Sequence, residues 1–160
     1  VTRSSTAQRA RQQSGEDTEA LVDQLADTHA LARVAVFRKR ATPKAVRAGK
    51  AVYLASPGVD YTGHLRGGRA LYFDVKRSQR GDFSFSVIRD VQREELARAH
   101  DDGALAFVLV VAGPVLVAAT LHLVPWDAIV SLERVGRVSM SRTDLEAFAR
   151  PRPLFLEGLR

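Results

Sequence analysis

The stretch Ala104-Leu105-Ala106-Phe107-Val108-Leu109-Val110-Val111-Ala112 constrains the fold of this chain more than any other. Nine apolar residues without a polar break leave no face for water, and the run is too short for most helices. A strand of that kind is buried on both sides, in the middle of a sheet with a layer over each face. Gly113-Pro114 then turns the chain.

The remaining elements follow from period and punctuation. Leu21, Val22, Leu25, Thr28 and Ala32 recur at helical spacing, and Glu16, Asp17 and Glu19 suit the positive end of a helix dipole, so a helix is predicted from Glu16 to about Ala32. Strands are predicted over Arg33–Arg40 and Lys50–Ala55, separated by the Thr42-Pro43 break. Val59–Leu65 and Arg69–Arg77 form a further pair, joined at Arg66-Gly67-Gly68. A helix over Ser86–His100 places Val87, Val91, Leu96 and Ala99 inward, and Gly103 terminates it. After the central run come a strand over Val115–Leu121 and a helix from Pro125 to about Leu132. A short helix opens at Ser141, where Ser-Arg-Thr-Asp makes a capping box with Asp in the place of Glu. Residues 1–14 are polar and without periodicity and predict a flexible basic arm, with residues 15–160 as one domain. The order specifies an α/β fold, a central mixed sheet flanked by helices.

Composition narrows the function. The longest apolar window, Ala104 to Leu121, is broken by Gly113 and Pro114, so no membrane helix and no membrane partner are expected. No secretory leader pattern is expected either. Cysteine is absent, which excludes disulfides and thiolate metal sites and fits a cytoplasmic protein. The net charge is +6, and Thr28 to Val59 contains no Asp or Glu while Arg33, Arg38, Lys39, Arg40, Lys44, Arg47 and Lys50 supply seven cations. A one-signed stretch of that size is an electrostatic footprint for phosphate backbones. Arg38, Lys39, Arg40, Lys44, Arg47, Arg66 and Arg77 are the candidate DNA contacts, with Thr62 placed either to touch phosphate or to support its strand.

The chemistry-bearing pattern is Asp60-Tyr61-Thr62-Gly63 followed by Phe73-Asp74-Val75-Lys76. Phosphodiester hydrolysis needs an in-line water, neutralised phosphoryl oxygens and help for the leaving oxygen. Carboxylates hold a hard divalent ion, which acidifies water and offsets developing charge. Asp74 and Lys76 share a strand face by the two-residue period, Val75 leaves its carbonyl free, and Asp60 reaches the same place across the hairpin. A solvated cross-strand ion pair would carry the same residues. Elsewhere, His29, His64, His100 and His122 lack ligand spacing, Glu94 and Glu95 read as a solvated helix face, and Phe107 and Trp126 read as core.

In order, these motifs resemble the RecU-type Holliday junction resolvases of the PD-(D/E)xK, or restriction-endonuclease-like, nuclease superfamily. Similar elements are Gly15-Glu16-Asp17-Thr18-Glu19, Val34 to Pro43, Asp60 to Gly63, Gly68-Arg69, Phe73 to Lys76, Phe83–Phe85, Val91-Gln92, Gly103 to Val108 and Trp126. The resemblance implies a restriction-endonuclease-like fold and an Mg²⁺-dependent homodimer, with Mn²⁺ able to substitute, that cuts two opposed strands of a four-way DNA junction. It implies Glu19, Asp60 and Asp74 as acidic metal-site residues with the Val75 carbonyl as a further ligand. Lys76 would act on the attacking water or the transition-state charge, and Gln92 would position water or phosphate. The chain departs from the pattern with Asp74 in place of Glu, Val59 in place of the name-giving Pro, and a shortened segment between Pro43 and Asp60 where the family carries a stalk. The expected activity is junction resolution. Another restriction-like endonuclease and a non-catalytic DNA-binding module are the alternatives.

Overall fold

The computed structural model describes residues 2–41, 44–47, 50–53, 58–113 and 118–159, with backbone alone for 2–12, 14, 44–47 and 50–53. The chain opens with helix α1 (Thr2–Leu31), followed by strands β1 (Ala35–Lys39), β2 (Lys44–Arg47), β3 (Lys50–Tyr53), β4 (Tyr61–Leu65), β5 (Ala70–Ser78) and β6 (Phe83–Ser84). Helix α2 (Asp90–Asp101), strands β7 (Leu105–Ala112) and β8 (Thr120–Pro125) and helix α3 (Trp126–Arg134) come next. Strand β9 (Ser139–Met140), helix α4 (Arg142–Glu146) and strand β10 (Ala149–Arg150) complete it.

Among the described residues the main sheet has six strands in the order β1-β4-β5-β7-β8-β10. Its pairs are antiparallel except β5 with β7, which are parallel and joined through α2. The expected mixed sheet is therefore present, and the apolar run at 105–112 lies inside it with its residues split between two cores. Phe107, Leu109 and Val111 join Leu21, Val22 and Leu25 of α1 on one face, with Phe37, Phe73 and Phe155. Ala106, Val108 and Val110 join Leu96 and Ala99 of α2 and Ile129 of α3 on the other. Tyr61, Phe73 and Phe107 stack across three adjacent strands, with ring centroids 5.1 and 4.7 Å apart. His29, fully buried, closes the first core: its Nδ1 bonds the Leu25 carbonyl at 2.7 Å and its Nε2 accepts from the Leu156 amide at 3.2 Å.

Several boundaries differ from the sequence reading. The first helix begins at Thr2, because residues 2–14 hold no Pro or Gly and are rich in Ala, Arg and Gln, all compatible with helix. The residues read as an arm thus continue the backbone of α1. Of the strand expected over Lys50–Ala55, Lys50 to Tyr53 pair with β2 in a two-stranded ribbon that, among the described residues, has no pairing with the main sheet; residues 54–57 lie outside the described residues. This ribbon falls in the shortened segment between Pro43 and Asp60.

The helix expected from Ser86 begins at Asp90, after a 3₁₀ turn over Phe85–Val87. Val87 and Val91 are consequently exposed, and Gln92, Leu96 and Ala99 form the buried stripe. Of the strand expected over Val115–Leu121, residues 115–117 lie outside the described residues, and the described strand runs from Thr120, which pairs with Ala112, to Pro125. The capping box holds: Ser141 N donates to Asp144 Oδ2 at 2.7 Å, and Asp144 N donates to Ser141 Oγ at 3.3 Å.

Candidate active site

Register brings the two motif aspartates together. Tyr61 pairs with Phe73 in the antiparallel β4–β5 hairpin, so Asp60, one residue earlier, comes opposite Asp74, one residue later. The carbonyl of Asp60 accepts from the Arg40 amide at 2.8 Å, which extends the β1–β4 pairing by one residue. Asp60 Oδ2 lies 3.4 Å from the Val75 amide.

Asp74 is completely buried. Its Oδ1 accepts from Gln92 Nε2 at 2.5 Å, and its Oδ2 lies 2.5 Å from Lys76 Nζ. That second contact is an ion pair, so each carboxylate oxygen faces a donor group, Gln92 at Oδ1 and the Lys76 ammonium at Oδ2. Lys76 Nζ also donates to Gln92 Oε1 at 3.2 Å, and the same oxygen accepts from the Arg89 amide at 3.0 Å. Burial, followed by the neighbouring Asp60 carboxylate, raises the Asp74 pKa to about 7 against the opposing pull of Lys76.

A cavity of about 370 Å³ opens beside Asp60, with Glu19, Lys39, Val75 and Arg77 in its wall. Arg77 contributes Nε and Nη1, which are buried and have no hydrogen-bond partner among the described residues. A second cavity of about 430 Å³ lies by Tyr72 and α2 and contains none of the motif carboxylates. The chemistry belongs with the first.

The other residues singled out from sequence are distributed as follows. Glu19 stands in the wall of the same cavity but is ion-paired with Lys39. Among the described residues no three acidic or histidine side chains are gathered as a metal cluster. Arg38 is exposed on the edge strand β1. Arg40 is engaged by Glu95, with Nη1 to Oε1 at 2.5 Å. Thr62 is half-buried opposite Tyr72. Arg66 sits in the turn at the far end of the β4–β5 hairpin, about 15–20 Å along the strand from Asp60. The side chains of Lys44 and Arg47 lie outside the described residues.

Glu94 is exposed as expected, whereas Glu95 is not on a solvated face. Its Oε2 accepts from the Val59 amide at 2.9 Å while Oε1 holds Arg40. The sequence carried two signals for this: Glu95 follows Gln92 by one helical turn, and Gly58 precedes Val59.

A mixed sheet with helices on both faces, carrying a buried carboxylate-lysine pair beside a second carboxylate, is the restriction-endonuclease-like fold that the motif order implies. The fold is similar to that of Hjc from Archaeoglobus fulgidus, a Holliday junction resolvase from an archaeal hyperthermophile. The two share 17% identity over 80% of this chain and 91% of that one, with a TM-score of 0.53. The chain belongs to the Recombination protein U (RecU) family, whose model matches residues 13–148. No curated protein matches it.

RecU proteins are Holliday junction resolvases, endonucleases that depend on a divalent metal ion. The residues present fit such an ion. Asp60 and Asp74 bring hard carboxylate oxygens side by side on adjacent strands, beside the cavity that Asp60, Glu19 and Val75 line. Magnesium binds through one or two carboxylates and keeps several waters, so a third acidic side chain in the cluster is not required.

Proposed function

We propose that the chain resolves Holliday junctions as an Mg²⁺-dependent endonuclease in which Asp60, Asp74 and the Val75 carbonyl hold the ion. The observation that carries this reading is the buried Asp74, bracketed by Asp60, Lys76 and Gln92. When bound, the ion supplies a more acidic water and neutralises phosphoryl charge, and Mn²⁺ has the same ligand preference. Lys76 lies next to Asp74, and Gln92 Oε1 accepts from its Nζ, so it is placed to orient the attacking water or stabilise the charge that develops on the phosphoryl group. Gln92 fixes Asp74 through Oδ1, and an ion bound at Oδ2 would share that oxygen with Lys76. Glu19 is the third acidic residue of the site, at the cavity wall.

Arg77, in the wall of the same cavity, is a candidate for the scissile phosphate, because phosphate oxygens would satisfy the two guanidinium nitrogens that lack partners among the described residues. Arg38, Lys39, Arg40, Lys44, Arg47, Arg66 and Thr62 are proposed to contact the arms of a four-way junction. The active form is proposed to be a cytoplasmic homodimer, since twofold-related sites can nick two opposed strands.

A comparison of substrates tests the proposal. With Mg²⁺, the full chain is expected to convert a synthetic four-way junction to two nicked duplexes, leaving linear duplex of the same sequence uncut. Equal cleavage of both would identify a restriction-like endonuclease. An intact junction with retained binding would identify a non-catalytic DNA-binding module.

A further inference from the structure

The structure assigns Glu95 as a positioning residue that sets the Asp60 carboxylate, an inference that rests on reading Asp60 as a metal ligand. Val59 is fully buried, so its amide needs an acceptor inside the protein. Glu95 Oε2 provides it at 2.9 Å. The other oxygen of the same carboxylate lies 2.5 Å from Arg40 Nη1, and the Arg40 amide in turn bonds the Asp60 carbonyl at 2.8 Å. Asp60 is thereby held from both sides: the preceding residue through its amide, and its own carbonyl through Arg40. One side chain closes the loop between the two.

The local sequence is built around this contact. Gly58 adopts a φ of +76°, and a Cβ there would fall 1.9 Å from Glu95 Oε2. Glycine therefore supplies both the backbone conformation and the space. The departure from the motif also acquires a reason. A proline before the aspartate has no N–H, whereas Val59 has one and Glu95 uses it. Glu95 lies one turn after Gln92 on α2, so a single helix holds Asp74 through Gln92 and Asp60 through Glu95. The relative placement of the two carboxylates is then a property of a rigid element rather than of the loop over 58–60.

Mn²⁺ binding to the full chain without DNA, followed by titration calorimetry, tests this together with thermal melting of each variant. Asp60→Asn is expected to weaken Mn²⁺ binding at least tenfold, and Glu95→Ala about tenfold, the usual size for a residue supporting a metal ligand. Glu95→Gln keeps an oxygen for the Val59 amide and is expected to stay within about threefold of the parent. A Glu95→Ala protein that folds, melts at a lower temperature and binds Mn²⁺ as the parent does would reduce Glu95 to a staple and overturn the inference. Should Glu95→Ala not fold, Arg40→Gln decides: affinity weakened about threefold supports the inference, and parent affinity overturns it. Parent affinity in Asp60→Asn would overturn the reading of Asp60 itself, and the role of Glu95 with it.

Discussion

Burial takes Asp74 out of water, and Lys76 and Gln92 replace only part of the hydration its carboxylate loses. Its pKa rises from 3.8 to about 7, burial being the main cause and Asp60 the second. The proposed ion would bind the ionised carboxylate, so below this pKa it would have to displace a proton. Mn²⁺ affinity is expected to climb between pH 6 and 7 and level off by pH 8, with proton release at pH 6 and almost none at pH 8. Titrations in buffers of different ionisation enthalpy read this directly, and a flat affinity across that range would contradict it. Stability has the opposite sign. The folded state keeps a proton that the unfolded chain gives up, so the metal-free protein loses stability as pH rises from about 4 to about 7. Asp74→Asn removes this penalty and is expected to raise the melting temperature of the metal-free protein at pH 8.

At the scale of elements, what could be read in advance was what is written locally. The central strand, the β4–β5 hairpin and the Ser141 cap each depend on contiguous residues, and each formed as its residues indicate. The start of α2 was misread because Val87 and Val91 continue an apolar spacing that the backbone does not follow. Gln92 occupies a core position four residues before Leu96, where a periodicity reading counts a gap rather than a buried polar group. Glu95 looked like surface because its partners, Val59 and Arg40, come from distant strands and loops. The Asp60–Asp74–Lys76 set was legible through motif order, but its burial and its tie to Gln92 required the register.

Gly63, in the first motif, shows how tightly two elements meet. A Cβ there would fall 2.1 Å from the Val36 carbonyl oxygen and 2.5 Å from Phe37 Cα, both backbone atoms of β1. Gly63→Ala must push the edge strand away and is expected to cost about 1–3 kcal/mol in urea unfolding, seen as a lower midpoint with an unchanged slope. A parent midpoint would mean that β1 yields without loss. The same strand leads into Arg40, so a shift there also reaches Asp60.

For the whole molecule, the sheet unites groups far apart in sequence. Glu19, Asp60, Asp74 and Gln92 arrive from α1, the approach to β4, β5 and α2. The acid-free segment before Asp60 was read as a surface for phosphates, and the fold divides it. Lys39 and Arg40 are ion-paired with Glu19 and Glu95, while Arg38 stays exposed with no ion pair among the described residues. If Lys39 is to contact DNA as proposed, the DNA would have to compete with Glu19 for it, next to the cavity lined by Asp60 and Arg77.

The central claim is that Asp74 and its neighbours form the hydrolytic centre. Single-turnover cleavage of a synthetic four-way junction by the parent and by Asp74→Asn at saturating Mg²⁺, with junction binding measured in parallel, tests it most directly. The account predicts a loss of about 100-fold or more in cleavage rate with binding within about threefold of the parent. Parent-rate cleavage by Asp74→Asn would contradict it.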